Sequence, residues 1–343
     1  MNSIQPHVLA EKHGVLGLLT LRRPEALNAL SLGMVEALAA ALEAWAADDR
    51  VRVVAIRAEG ARGFCAGGDI RAWVTEGAEA ALAFLRAEYR LNHRIATYAK
   101  PFVALMHGVT MGGGAGLSVH ARHRVADPGL VFAMPETAIG FIPDIGASYF
   151  LPRCPGGIGM YLALTAGRIG QGDVIAAGLA DRAVARADFD ALLECLARGE
   201  TPEQAIAAVA DRPGPAPLAA QGAHLAALLS AASVEAVLER LERDGGDFAQ
   251  AAAAAIHANS PTSLKLAFHL QRRGAALTLA QCLQQEYDAA TRLFLRPDLK
   301  EGVRAAVIDK DRRPRWQPSA LAAVIDAEAA DLATASGTRL AFA

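Results

Sequence analysis

The sequence predicts an α/β fold: an α/β core over residues 1–190 followed by a helical region over residues 191–343. Three observations predict it. Short β-rich runs alternate with helical periods through the first half, strand-like runs cease after about Arg186, and capped helices then take over. Strands separated by helices imply a mainly parallel sheet with helical crossovers.

Each element has a local reason. Val15–Leu21 is a β-rich run closed by Arg22, Arg23 and Pro24. Ser31 can cap a helix in which Leu32, Val35, Leu38, Leu42 and Trp45 recur at steps of three and four. Val51–Ile56 is a short apolar strand, and Glu79–Ala96 reads as a long helix. Phe102–Met106 is a strand that runs into Gly108 and then into a glycine-rich turn. Arg124–Ala126 and Val131–Ala133 are two more strands, and helix follows in Gly146–Leu151 and Ile158–Thr165. In the second half, Thr201-Pro-Glu-Gln204 carries a cap, Pro at the first helical position and Gln three residues after the cap. Pro213–Pro217 is a break, and Ser233, Ser260 with Pro261, and Thr278 with Gln281 each open a helix.

Composition narrows the function classes. The chain has 343 residues, 53% of them hydrophobic, enough for a sizeable core. Its 34 basic and 36 acidic residues leave a formal charge of −2, so no general footprint for nucleic acid or an anionic membrane is present. No apolar run approaches the roughly 20 residues of a membrane helix. Residues 1–13 lack a basic start followed by an apolar run, so no signal peptide is expected. Four scattered cysteines (65, 154, 195 and 282) without a C-x-x-C pair suit a reduced, cytoplasmic protein.

Three segments carry candidate chemistry. In Phe64-Cys-Ala-Gly-Gly-Asp-Ile70, adjacent glycines between a strand and a helix allow close backbone approach to a ligand, or simply a tight turn. His107-Gly-Val-Thr-Met-Gly-Gly-Gly-Ala-Gly116 follows a strand and opens a helix, where free N–H groups suit an oxyanion. It lacks the Gly-Lys-Ser/Thr of a nucleotide-phosphate loop. In Met134–Gly146, Glu136 and Asp144 lie in an apolar, Pro- and Gly-punctuated stretch. Such carboxylates are costly unless paired or used, so they read as an acid/base pair or, for Asp144 especially, as a helix cap.

Taken together these segments resemble the crotonase (enoyl-CoA hydratase/isomerase) superfamily, starting at Arg23-Pro-Glu-Ala-Leu-Asn-Ala29. The 3-hydroxyisobutyryl-CoA hydrolase branch is suggested by Phe-Cys-Ala-Gly-Gly-Asp-Ile (64–70), Thr-Met-Gly-Gly-Gly (110–114), Phe-Ala-Met-Pro-Glu-Thr-Ala-Ile-Gly (132–140) and Pro-Asp-Ile-Gly (143–146). Ser-Pro-Thr-Ser-Leu-Lys (260–265), Glu-Gly-Val-Arg-Ala (301–305), Val-Ile-Asp-Lys-Asp (307–311) and Pro-Arg-Trp (314–316) extend it along nearly the whole chain. The resemblance implies a crotonase-like (ClpP/crotonase) ββα superhelix core, with the helical C-terminal region completing a substrate pocket.

It also implies roles for particular residues. The N–H groups of Ala66 and Gly113 would hold a thioester oxygen, and Glu136 and Asp144 would be catalytic. Glu88, Gly67, Gly68, Asp69, Ile70 and Gly112 would contact an acyl-CoA substrate. The coenzyme A contacts are expected near Ala26–Leu27 and Ala66–Ile70. Hydratases of the superfamily carry a glutamate where this chain has Gly116, and typically Gly where it has Asp144. The expected activity is therefore hydrolysis of a short 3-hydroxyacyl-CoA, 3-hydroxyisobutyryl-CoA of valine breakdown first and 3-hydroxypropionyl-CoA second. The alternatives are an enoyl-CoA hydratase or isomerase and a non-catalytic acyl-CoA-binding protein. Coenzyme A enters as part of the substrate, no other cofactor is expected, and the superfamily's trimers or dimers of trimers suggest a homo-oligomer.

Other residues carry less. His120 and His123 have helical spacing but no third ligand, so no metal is expected. His107 reads as packed at a strand end and Cys65 as a buried thiol. Ser118 and Ser148 are outside any G-x-S-x-G elbow.

Overall fold

The computed structural model describes residues 6–342. The first five residues of the stretch read for a signal peptide lie outside the described residues. Among the described residues ten strands form two sheets, and the glycine-rich loops lie at the ends of the smaller one. The larger sheet contains β1 (Val8–His13), β2 (Leu16–Leu21), β3 (Val53–Ala58), β5 (Phe102–Met106), β7 (His123–Ala126) and β10 (Arg182–Ala183), in the order β1-β2-β3-β5-β7-β10. The smaller contains β4 (Gly63–Cys65), β6 (Val109–Met111), β8 (Val131–Ala133) and β9 (Arg168–Gly170), in that order. Among the strand pairs of the described residues, β1–β2 and β8–β9 are antiparallel and the others parallel.

The apolar runs are continuous because the central strands are covered on both faces. Leu16, Leu18, Val53, Ala55, Val103 and Leu105 point to one side, against Phe189, Leu192 and Leu196. Leu19, Leu21, Val54, Ile56, Ala104 and Met106 point into the main core on the other. The division expected at residues 190–191 falls inside the helix Phe189–Arg198, and Ala205 and Ile206 of the helix Pro202–Val209 join it on the outer face.

Helix ends follow the chemistry of their first residues. Ser31 caps α1 (Leu32–Ala46) by accepting from Met34 N–H, and Ser233 and Ser260 act likewise on their helices. Thr201 and Thr278 form reciprocal capping boxes with Gln204 and Gln281. Three shorter or longer helices then frame the cleft: α2 (Ile70–Thr75), α3 (Ala78–Ala96) and α4 (Gly113–Ser118). The helix Asp247–Ala258 buries Ala249, Ala252, Ala253 and Ile256. Among the described residues no helix is long and apolar enough to cross a membrane.

Candidate active site

The two glycine-rich loops leave β4 and β6, which are parallel neighbours, so they arrive side by side. Gly112 links β6 to α4 at φ +48, ψ −122, a backbone state open to glycine. Side chains close in on the same place. A Cβ on Gly112 would lie 3.0 Å from Glu136 Oε1, and one on Gly113 would lie 2.2 Å from Glu88 Oε1. The loop needs glycine there because two carboxyl groups occupy the space.

These residues line one cleft of about 500 Å³. All ten expected site residues border it: Ala66, Gly67, Gly68, Asp69, Ile70, Glu88, Gly112, Gly113, Glu136 and Asp144. Arg23, Ala26, Leu27, Arg71, Trp73, Ile139, Phe141, Val307 and Lys310 are also in the wall. Trp73 and Phe141 meet at 5.5 Å in an edge contact and make the apolar side firm. Val307 and Lys310 are the cleft residues contributed from beyond residue 190.

Glu88, Glu136 and Asp144 are 2%, 6% and 4% exposed, and among the described residues none of them has a cationic partner. Oε1 of Glu88 and Oε2 of Glu136 have no hydrogen-bond partner among the described residues. Asp144 accepts a hydrogen bond of 2.7 Å from Tyr89 Oη on α3. Burial pushes all three upward. The Asp144 carboxyl rises to about 7 despite the Tyr89 bond that opposes the shift. Glu136 and Glu88 rise well above the usual carboxylate range, first through burial and then through the charge of Asp144. Three carboxyls in one dry site do not all ionise together, so the cluster retains a proton near neutrality. That is the state required for acid/base work at neutral pH.

The loop carrying Asp144 is strained. Ile145, a β-branched residue, sits at φ +56, which costs on the order of 1–3 kcal/mol. Its carbonyl accepts from His120 Nε2 at 2.7 Å. Burial pushes His120 down to about 4, so its ring is neutral and Nε2 carries the donated proton.

One expected donor needs correction. The Ala66 N–H already donates to Leu27 C=O at 3.0 Å, so it is not free for a substrate oxygen. Gly68 forms a parallel bridge with Leu30 through its neighbours, using Gly67 C=O (2.8 Å) and Asp69 N–H (2.9 Å). The Gly68 N–H therefore points away from residues 27–30 and has no partner among the described residues. Gly113 N–H opens α4 and has no intrahelical acceptor. The donor pair offered by the backbone is Gly68 and Gly113. Asp69 is also accounted for locally: it caps α2 through Ala72 N–H and pairs with Arg23 at 3.0 Å.

The weaker candidates go elsewhere. His123 faces Glu203 at 3.6 Å while His120 holds Ile145. His107 bonds Gly60 C=O at 2.9 Å. Cys65 is buried and its thiol is pushed up to about 12, which keeps it protonated. Ser118 donates to Gly114 C=O within its own helix. Gly116 faces Asn92, whose Nδ2 would lie 2.7 Å from an added Cβ. A side chain at 116 would have to displace the Asn92 amide of α3.

The model of the family described as enoyl-CoA hydratase/isomerase matches residues 16–332. The chain belongs to this family. It is similar to the mitochondrial 3-hydroxyisobutyryl-CoA hydrolase of Xenopus tropicalis, 43% identical over 332 residues that cover 93% of this chain and 86% of that protein. The human protein of the same name is 41% identical over 333 residues, covering 93% and 86%. Among solved structures, a carnitinyl-CoA dehydratase from Mycobacterium thermoresistibile superposes with TM-score 0.94 at 36% identity, over 98% of this chain and 99% of that one. An enoyl-CoA hydratase from Rhodobacter sphaeroides 2.4.1 gives TM-score 0.90 at 41% identity, over 98% and 100%. The crotonase-like α/β fold with its helical C-terminal region is thus shared across the whole length. Tyr89, the hydrogen-bond partner of Asp144, is a site residue that sequence reading missed, although it adjoins Glu88.

Proposed function

We propose that the chain hydrolyses the thioester of a short 3-hydroxyacyl-CoA, 3-hydroxyisobutyryl-CoA first and 3-hydroxypropionyl-CoA second. The observation that carries this reading is the meeting of Glu136, Asp144 and Glu88 with two free backbone N–H groups in one cleft. Relatives named as 3-hydroxyisobutyryl-CoA hydrolases at about 40% identity support the substrate. The names of the two superposed structures point to hydration and dehydration of CoA esters instead. Against that alternative stand Gly116, which carries no carboxyl where hydratases of the superfamily have a glutamate, and the carboxyl supplied by Asp144.

In this mechanism the thioester carbonyl oxygen lies between the N–H groups of Gly68 and Gly113. Fixed donors there stabilise the negative charge that develops on attack, and loss of one such donor costs about 3 kcal/mol. Glu136 drives the attack by one of two routes. As general base it takes a proton from water, and the hydroxide adds to the carbonyl; as nucleophile it forms a mixed anhydride that water then opens. Either route expels coenzyme A as its thiolate and ends in the free 3-hydroxy acid. Asp144, held by Tyr89, orients the water or the substrate hydroxyl. Glu88 reaches the same acyl end past Gly113, and Gly67, Gly112 and Ile70 shape the channel. Arg71 and Lys310 stand at its border as cations.

Coenzyme A belongs to the substrate, and no metal or redox cofactor enters this mechanism. The substrate would place the chain in valine breakdown. A trimer or dimer of trimers is part of the same reading. The cytoplasmic assignment rests on the four free thiols; the vertebrate relatives are named as mitochondrial and lend it no support.

The test is thiol release from 3-hydroxyisobutyryl-CoA by the wild type and by Glu136→Gln. Rapid release that is lost in the variant supports the reading. Tight binding with no turnover by the wild type would favour the acyl-CoA-binding alternative. In a single turnover in ¹⁸O-labelled water, label in the Glu136 carboxyl identifies the anhydride route with water opening the anhydride at the Glu136 carbonyl, whereas general-base hydrolysis puts the label only in the product acid.

A further inference from the structure

Behind the cleft lies a fourth buried carboxyl, Glu286, on the helix Leu279–Leu293. It is not among the residues that line the cleft. Its two oxygens gather three donors from the loop that follows Asp144. Oε2 accepts from Gly146 N–H at 2.7 Å, and Oε1 accepts from Ser148 N–H at 2.8 Å and Ser148 Oγ at 2.5 Å. Between Asp144 and these amides stands Ile145 at φ +56, with its carbonyl on His120. The strained turn is therefore gripped from both sides. The next residue on the helix, Tyr287, packs its ring edge against Tyr89 at 6.4 Å, and Arg86 bonds its hydroxyl at 3.0 Å. Tyr89 in turn donates to Asp144. The same helix thus fixes Asp144 twice, through its backbone and through its hydrogen-bond partner.

We propose that Glu286 is a positioning residue that holds the Asp144 carboxyl toward the cleft by anchoring the left-handed turn at Ile145–Gly146 and the helix start that follows it, a role that rests on the thioesterase reading above. A carboxyl group suits this place because both of its oxygens accept and all three incoming groups are donors. An isosteric amide would offer one acceptor and set its NH₂ against a backbone N–H. The turn would relax, and a catalytic group displaced by an ångström loses on the order of 100-fold in rate.

The test compares Glu286→Gln in the wild-type and Asp144→Asn backgrounds, with thiol release from 3-hydroxyisobutyryl-CoA and amide hydrogen exchange as readouts. In the wild-type background kcat should fall about 100-fold while KM stays within about threefold. In the Asp144→Asn background the same change should cost almost nothing further, because Glu286 acts through Asp144. Exchange at Gly146 and Ser148 should accelerate. An equal loss in both backgrounds, or unchanged exchange at those amides, would overturn the proposal. If Glu286→Gln does not fold, Ser148→Ala carries the test: it removes one donor, and kcat should fall about fivefold in the wild-type background alone. If the wild type releases no thiol, the thioesterase reading fails, and exchange at Gly146 and Ser148 still decides whether Glu286 anchors the turn.

Discussion

Glu136 and Glu286 are both buried carboxyls, yet one faces the cleft and the other faces the wall behind it. Glu136 leaves Oε2 without a partner among the described residues, whereas both oxygens of Glu286 accept hydrogen bonds from three groups. Burial raises both titrations, Glu286 to about 8. The difference shows that burial and a raised pKa do not by themselves mark a reacting group. Unmet hydrogen-bonding capacity aimed at a cavity does, because it is the part of the folding cost that only a ligand recovers.

The sharpest way to break this contrast is Glu136→Gln. It should lower kcat by about 10³-fold while the melting temperature holds or rises, since a buried carboxyl with an unpartnered oxygen gives way to an uncharged amide of the same shape. A fall in both would place Glu136 with the structural carboxyls. Glu286→Ala should do the reverse in stability: three buried donors lose their acceptor, and urea unfolding should show a loss of about 3 kcal/mol. Gly113→Ala should cost about 100-fold in kcat/KM, because its Cβ displaces Glu88 Oε1, and the fold should survive.

Acidity separates activity from stability. The folded Asp144 titrates near 7 against an ordinary 3.8, so between those values the native state binds more protons than the unfolded chain. Its contribution to stability is therefore greatest at the low end of that window and declines as pH rises through about 7. Activity runs the other way, because the carboxylate form is the one that works. A kcat/KM profile that climbs through this window, beside chemical unfolding that weakens across it, is the expected pair. Asp144→Asn should flatten both. The smallest effect is expected of Tyr89→Phe: without the Tyr89 hydrogen bond the acid limb of the profile should move to higher pH.

What the sequence disclosed and what it hid divide along physical lines. Local signals were legible: the caps at Ser31, Thr201 and Thr278, the apolar strand runs, and the three loops that meet in the cleft. Each depends on neighbours a few residues away. The free amide was misplaced by two residues, from Gly68 to Ala66. Which N–H stays free depends on pairing with residues 27–30, and no local pattern carries that information. Glu286 was invisible for the same reason on a larger scale. It reaches Gly146 across 140 residues of chain, and in sequence it is one polar residue of an amphipathic helix. The unfavourable φ of Ile145 is likewise imposed by contacts from two remote elements.

The most direct test of the central claim is to give the chain 3-hydroxyisobutyryl-CoA and crotonyl-CoA in parallel and to follow both free thiol and the crotonyl double bond. Thioester hydrolysis predicts fast thiol release from the hydroxyacyl substrate and an intact double bond in the other. Loss of the double bond without thiol release would contradict it, and would mean that Glu136 and Asp144 serve hydration.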